Sequence, residues 1–328
     1  MKMNDYIDDF SNHLREAIEI ANNTSLTSCT KEIRNVLICG LGGSGIGGTI
    51  VSDIISPKVN IPITATKDYS IPNFVNEHTL VIANSYSGNT EETLYALEKC
   101  QAKGAEIAVI TSGGKLKAIA EENKYNKIII PGNQPPRAMF GYAFTELFFM
   151  LNHYGIIDDS FKSDFTKAIE LLDTEKSDIQ EQAMSLAKKM YKQTPVIYVA
   201  NGFEGVAVRF RQQINENSKM LCWHNVIPEM NHNELVGWGG GDARFATVFF
   251  ETSGNHPRND KRIEITKAKI KEKSSIHSVK AKGQSKIEQS LYIVNIVDWA
   301  SLYLSELKEV DPVEIEVIDF LKGELSRF

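Results

Sequence analysis

The stretch Thr79-Leu80-Val81-Ile82-Ala83-Asn84-Ser85-Tyr86-Ser87-Gly88-Asn89-Thr90 joins a continuous apolar run to the start of a helical pattern. An apolar run without polar alternation predicts a strand covered on both faces, and the spacing through Thr93 and Leu97 predicts a helix leaving it. Three hydroxyls and a glycine then stand at a strand's carboxyl end, beside the unpaired N–H groups of a helix N-terminus. Those donors and the helix dipole favour an anion, and Ser85, Ser87 and Thr90 each add a hydroxyl suited to a phosphate monoester. Simple capping by Ser87 or Asn89 uses the same residues, so this stretch alone leaves both uses open.

Working outward, Val36-Leu37-Ile38-Cys39, Ile61-Pro62-Ile63-Thr64, Ile107-Ala108-Val109-Ile110 and Ile128-Ile129-Ile130 are further short apolar runs, mostly separated by helical patterns. Strands alternating with helices predict an α/β fold with a doubly wound, mainly parallel sheet, whose ligands sit outside the carboxyl ends of the strands. Asn4 to Ala21 reads as an opening helix. After the helical stretches Ala138 to Tyr154 and Phe161 to Tyr191, the strand-like runs Val196 to Ala200 and Phe245 to Phe250 announce a second sheet of the same kind. Asp158-Asp159-Ser160 supplies turn residues but no long linker, so two tightly packed domains are expected, residues 1–155 and 156–328. The last helical patterns, Ser285 to Leu307 and Pro312 to Leu325, are expected to return to the core.

Composition narrows the function. A formal net charge of −6 gives no global attraction for nucleic acid, so any phosphate binding has to be local. Cys29, Cys39, Cys100 and Cys222 form no CxxC pair, which suits a reducing, cytoplasmic setting, with Cys39 packing as a small hydrophobe. Met1 to Asn22 carries scattered carboxylates, and no apolar run approaches the roughly 18 residues of a span, so neither a signal peptide nor a membrane partner is expected.

Two more clusters carry chemistry. Gly40-Leu41-Gly42-Gly43-Ser44-Gly45 matches GxGxxG directly after a strand. A dinucleotide site also asks for an acidic residue about 20 positions on, whereas Asp68 lies later and the serine loop would be idle. Close strand–helix packing is the plainer use of these glycines. Between Arg209 and Glu234, Asn215-Glu216-Asn217 surrounds a carboxylate with amides, and Pro228-Glu229-Met230-Asn231-His232-Asn233-Glu234 gathers amide, carboxylate and imidazole groups. A carboxylate can move a proton between adjacent carbons, and an imidazole can move protons on oxygens. A zinc set of Cys222, His224 and His232 matches no common ligand spacing.

Taken in order, Gly42-Gly43-Ser44-Gly45, Ser85 to Thr90, Pro135-Pro136-Arg137, Asn215-Glu216-Asn217-Ser218-Lys219 and Pro228 to Glu234 resemble the bifunctional phosphoglucose/phosphomannose isomerases, built from two sugar isomerase (SIS) domains. The resemblance implies an aldose–ketose isomerase of hexose 6-phosphates that works through a cis-enediol and needs no cofactor or metal. On it, Ser85, Ser87 and Thr90 hold phosphate, with Gly43 and Ser44 beside the sugar. Glu216 corresponds to the base between C1 and C2, and Arg137 to the cation that stabilises the enediolate. His232 corresponds to the residue that assists ring opening from the other subunit of a homodimer, and Lys322 to a C-terminal lysine near the ring oxygen. Dual-activity relatives place a threonine in the C-terminal segment; Pro312 to Lys322 has none, so glucose 6-phosphate is the firmer substrate. A noncatalytic SIS protein that senses sugar phosphate would keep the serine loop without the base, and an NAD-dependent oxidoreductase would use the glycine loop instead.

Overall fold

The computed structural model describes residues 2–328. Helices α1 (Met3–Asp8) and α2 (Phe10–Asn23) precede β1 (Asn35–Cys39), α3 (Gly42–Ile55), β2 (Ile63–Thr66), β3 (Thr79–Asn84), α4 (Glu91–Ala102), β4 (Glu106–Thr111), α5 (Gly114–Glu122) and β5 (Asn126–Ile129). Helices α6 (Phe140–His153), α7 (Ser160–Thr174) and α8 (Lys176–Met190) lead to β6 (Thr194–Ala200), α9 (Glu204–Ser218), β7 (Trp223–Ile227), α10 (Glu234–Gly237), β8 (Phe245–Glu251), α11 (Pro257–Ile270) and β9 (Ser275–Lys280). Helices α12 (Lys286–Leu307) and α13 (Glu316–Leu325) close the chain. The opening helical pattern is thus two helices that meet at Asp9, whose backbone leaves the helical range.

The strands form two parallel sheets, ordered β2-β1-β3-β4-β5 and β7-β6-β8-β9. In each, the first strand of its series lies between the second and third, so the winding reverses between β1 and β3 and again between β6 and β8. Loops at such a reversal diverge and leave a crevice, which here lies between the glycine loop after β1 and the serine loop after β3.

Strand β3 is buried along its whole length, and Val36, Leu37, Ile38 and Cys39 of β1 are at most 1% exposed, the condition that makes their sequence continuously apolar. One apolar cluster runs from Val36 and Ile82 of the first sheet, through the α6 and α7 aromatics Phe144, Phe148 and Phe165, to Ile197 and Val248 of the second and Leu291 and Ile296 of α12. The halves therefore share a core rather than swing on a linker. Contact between them is closest where α9 crosses α3: a Cβ on Gly205 would come within 2.6 Å of Ile50 Cγ1. Helix α12 does return to the core. Helix α13 does not: none of its residues is buried, and Val317, Phe320 and Leu321 face outward, a departure from the sequence expectation. Among the described residues no helix is long and apolar enough to cross a membrane.

Candidate active site

The serine loop is locked by its neighbour rather than by capping its own helix. Thr90 sits at the N-cap of α4 without a side-chain cap bond, and its hydroxyl pairs with Ser85 Oγ at 2.8 Å. Asn89 Oδ1 instead accepts from the Lys115 N–H at 3.0 Å, in the first turn of α5. The capping use of Ser87 and Asn89 on α4 is thus absent, which leaves the first-turn donors of α4 free for an anion. Gly88 permits the tight fit: its φ is +67°, and a Cβ there would lie 1.8 Å from the Gly113 carbonyl oxygen. Gly88→Ala should therefore cost about 2 kcal/mol or more and lower the urea midpoint of unfolding; an unshifted midpoint would refute this account of the loop.

The glycines of the loop after β1 are not fixed in the same way. A Cβ on Gly45 would lie 2.3 Å from the Gly40 carbonyl oxygen, and one on Gly48 2.7 Å from Ile38 Cγ2, so these two are fixed by backbone and strand contact. Gly43 instead faces the Pro136–Arg137 turn, its Cβ position 3.6 Å from Arg137 Cα. Ser44 Oγ accepts from the Tyr86 N–H at 3.1 Å, and the Ser44 carbonyl from Asn84 Nδ2 at 3.1 Å. The Tyr86 hydroxyl in turn accepts from the Gln134 N–H at 3.1 Å, which ties the 134–137 segment to the serine loop. These contacts bring the glycine loop, the serine loop and the segment that carries Arg137 together. Asp68, the acid a dinucleotide site would need, bonds Ser70 and its own neighbour's N–H at an exposed turn.

Arg137 reaches across to the second sheet's first helix. Its Nε donates to Asn217 Oδ1 at 2.8 Å, its Nη1 to Glu216 Oε2 at 3.3 Å, and its Nη2 to the Pro312 carbonyl. The arginine side chain is 6% exposed and the glutamate 30%. Burial lowers the Arg137 pKa, opposed by Glu216 and Asp311, yet a guanidinium so placed keeps its charge. A surface ion pair for Arg137 is excluded by this burial. Behind it, Arg209 Nη2 donates to the Arg137 carbonyl at 3.2 Å and to Asp298 Oδ2 at 2.5 Å, with Gln213 on the other Asp298 oxygen at 3.0 Å. Asn217 Nδ2 completes the frame by donating to Ser301 Oγ at 2.9 Å.

His232 and Lys322 lie elsewhere. His232 is exposed in the turn Glu229–His232, with exposed Leu221, Trp223 and Val236 in the segments around it, and no hydrogen bond joins it to Glu216 or Arg137 among the described residues. Lys322 is exposed on α13 and likewise apart. His224 sits between Arg211, at 3.3 Å, and Glu204, at 3.4 Å, and burial and Arg211 push its pKa down. No group of three or more His, Cys, Asp or Glu residues placed to hold a metal occurs among the described residues.

The second sheet repeats the serine loop as Thr252-Ser253-Gly254-Asn255 after β8, a repeat the sequence reading missed. There Gln289 of α12 fills the place of a ligand: its Oε1 accepts from the Ser253 N–H at 2.8 Å and its Nε2 donates to Ser253 Oγ at 2.9 Å. His256 Nδ1 caps α11 at the Arg258 N–H, 3.2 Å away. Of these two loops, the first keeps its helix donors open and the second does not. The reading also gave no role to Asn217, Arg209, Asp298 or Lys219; the amides flanking Glu216 were the signal for Asn217.

Two parallel three-layer units, wound alike and with one open hydroxyl loop between them, define a two-domain SIS protein, and residues 32–154 match the SIS domain model. Residues 179–325 match the model described as bacterial phospho-glucose isomerase C-terminal SIS domain. The bifunctional phosphoglucose/phosphomannose isomerase of Caldicellulosiruptor bescii is 38% identical over 324 residues, covering 95% of this chain and 96% of that protein. The enzyme of the same name from Aquifex aeolicus is 34% identical over 299 residues, 90% and 91% of the two. The chain belongs to the bifunctional phosphoglucose/phosphomannose isomerase family. In fold alone it is similar to the C-terminal domain of glucosamine-fructose-6-phosphate aminotransferase from Francisella tularensis, with a TM-score of 0.75, 12% identity and coverage of 95% of this chain and 98% of that one.

Proposed function

We propose that the chain interconverts glucose 6-phosphate, and mannose 6-phosphate with it, and fructose 6-phosphate through a cis-enediol. The observation that carries this is the Arg137–Glu216 pair, a base and a fixed cation brought from the two halves to one crevice beside an open anion loop. Isomerisation removes a weakly acidic C–H, so it needs a base and a positive group where the enediolate oxygen gains charge. Glu216 is the base and Arg137 the cation. Ser85, Ser87 and Thr90 with the α4 N-terminus hold the phosphate, and Gly43 and Ser44 line the sugar. Remote phosphate binding then fixes C1 and C2 against the carboxylate, which converts affinity into rate.

The remaining assignments need a second copy. His232, exposed and away from Glu216, assists ring opening in the partner's site of a homodimer, and Lys322 lies by the ring oxygen once α13 is covered. The outward Val317, Phe320 and Leu321 of α13, with Leu221 and Val236 near His232, supply apolar surface for such pairing. On this reading the domains are 1–155 and 156–328, and the enzyme works in the cytoplasm.

Fructose 6-phosphate given to the purified chain, without nicotinamide cofactor or added metal, should yield glucose 6-phosphate. Mannose 6-phosphate in the same tube is expected as the second product. Absence of both aldoses overturns the isomerase and leaves the sugar-phosphate sensor.

A further inference from the structure

The end of α9, one turn beyond Glu216, is held in an unusual way. Lys219 closes the helix in the left-handed conformation, φ 51° and ψ 45°. A side chain with a Cβ adopts this region at a cost of about 1 kcal/mol, as Lys124, Lys192 and Glu309 also do here. What sets Lys219 apart is its side chain: Nζ donates to the main-chain oxygens of Glu216 at 2.6 Å, Asp311 at 2.8 Å and Glu314 at 2.8 Å. Three carbonyls use all three protons of one ammonium.

Two of those carbonyls belong to a strap, residues 311–314, that also enters the site. Between them lies Pro312, whose carbonyl accepts from Arg137 Nη2. The same guanidinium meets Glu216 through Nη1 and Asn217 through Nε. One lysine thus grips, from one point, the backbone that carries the carboxylate and the peptide that occupies the far nitrogen of the guanidinium. On its far side the strap runs into α13, none of whose residues is buried, so its hold on the site rests on Lys219, on the Arg137–Pro312 bond and on the end of α12, where the Val310 N–H donates to the Ser305 carbonyl at 3.0 Å. Lys308 offers an internal comparison: its Nζ donates to the Ser218 carbonyl at 2.8 Å and the Lys219 carbonyl at 3.1 Å, so it braces the α9 end without touching the strap.

We propose that Lys219 is a positioning residue that clamps the 311–314 strap against Arg137 and thereby sets the guanidinium beside Glu216 for proton transfer. The proposal rests on the isomerase reading above. With the clamp gone, the strap leaves, Nη2 loses its carbonyl, and the guanidinium turns onto the Glu216 carboxylate as a closed pair. The base is then occupied and the cation faces away from the enediolate oxygen. Phosphate binding on the first sheet is untouched.

The test compares Lys219→Met, Lys219→Arg and Lys308→Met in the full chain, with fructose 6-phosphate as substrate. Lys219→Met should lose about 30- to 100-fold in kcat with KM within about threefold of the parent, the loss expected of a misplaced catalytic pair. Lys219→Arg, which keeps donors at similar reach, should recover to within about fivefold, and Lys308→Met should stay within about threefold. Limited proteolysis with a glutamate-specific protease reads the strap directly: cleavage at Glu314 or Glu316 should be about tenfold faster in Lys219→Met than in Lys308→Met. An active parent whose Lys219→Met variant keeps its kcat, or whose strap is cut no faster, overturns the clamp alone. An inactive parent overturns the isomerase reading, whatever the strap does.

Discussion

Glu216→Gln should reduce turnover of fructose 6-phosphate by about 10³-fold or more while leaving the inhibition constant for inorganic phosphate within about threefold. The amide keeps the shape of the side chain and still accepts from Arg137 Nη1, now at 3.3 Å from Oε2, so the frame of Asn217, Arg209 and Asp298 has no reason to move. What it loses is the ability to take a proton from carbon. Incorporation of solvent deuterium at C2 of the aldose product isolates that step, because an enediol shuttle exchanges its proton with water and direct hydride transfer does not. The expected result is loss of exchange and turnover together. Retained turnover would falsify the assignment of the base.

The size of that effect follows from how the site is divided. In the proposed mechanism the phosphate contacts sit at the first sheet's switch point and proton transfer on a helix of the second, with Arg137 joining them through the 134–137 segment. Removing the base therefore acts on kcat without reaching the anion loop, whereas a loop substitution such as Gly88→Ala acts on folding and phosphate together.

The central strands were open to reading because a strand buried on both faces has to be apolar throughout. β3 and β1 meet that condition, and the matching runs in the sequence fall on them within two residues. β7 and β9 were missed for the complementary reason. They are the outer strands of the second sheet, most of their residues are half-buried with a single buried position in each, and Trp-His-Asn-Val-Ile and Ser-Ile-His-Ser-Val-Lys carry too few apolar residues to stand out. Helix α13 misled in the other direction: amphipathic spacing reports that a face wants cover, not that this chain supplies it.

At the site, each cluster was visible as residue chemistry, but their meeting was not. Arg137 and Glu216 are distant in sequence and meet where α9 lies on α3, an approach that Gly205 permits and that has no local signature. Lys219 stood in a quoted motif without a role for a sharper reason: its partners are main-chain oxygens, two of them from a distant segment, and carbonyl acceptors leave no side-chain pattern in a sequence.

Glu146, in the apolar run Phe140 to Leu151, should govern the pH dependence of stability. Helix α6 packs against α2, α3 and β4, and both Glu146 carboxylate oxygens are buried without a hydrogen-bond partner. Burial raises its pKa from 4.5 to about 9, so the folded chain carries a neutral acid at pH 7 where the unfolded chain carries a carboxylate. Folding must then take up a proton at neutral pH. The penalty is absent below the unfolded value, grows by about 1.4 kcal/mol per pH unit above it, and levels off above the folded value, which makes it roughly 3 kcal/mol at pH 7. Glu146→Leu removes both the titration and the two unpaired oxygens in a site already lined by hydrocarbon. Urea unfolding at pH 5, 7 and 8.5 should show the variant gaining about 1–3 kcal/mol at the lowest pH from the unpaired oxygens and roughly 3 kcal/mol or more beyond that at the higher two, with Glu146→Gln flattening the pH slope in the same way but gaining less, since its amide stays unpaired. Curves for parent and variants that run parallel across this range would mean that Glu146 finds a partner in solution and is charged.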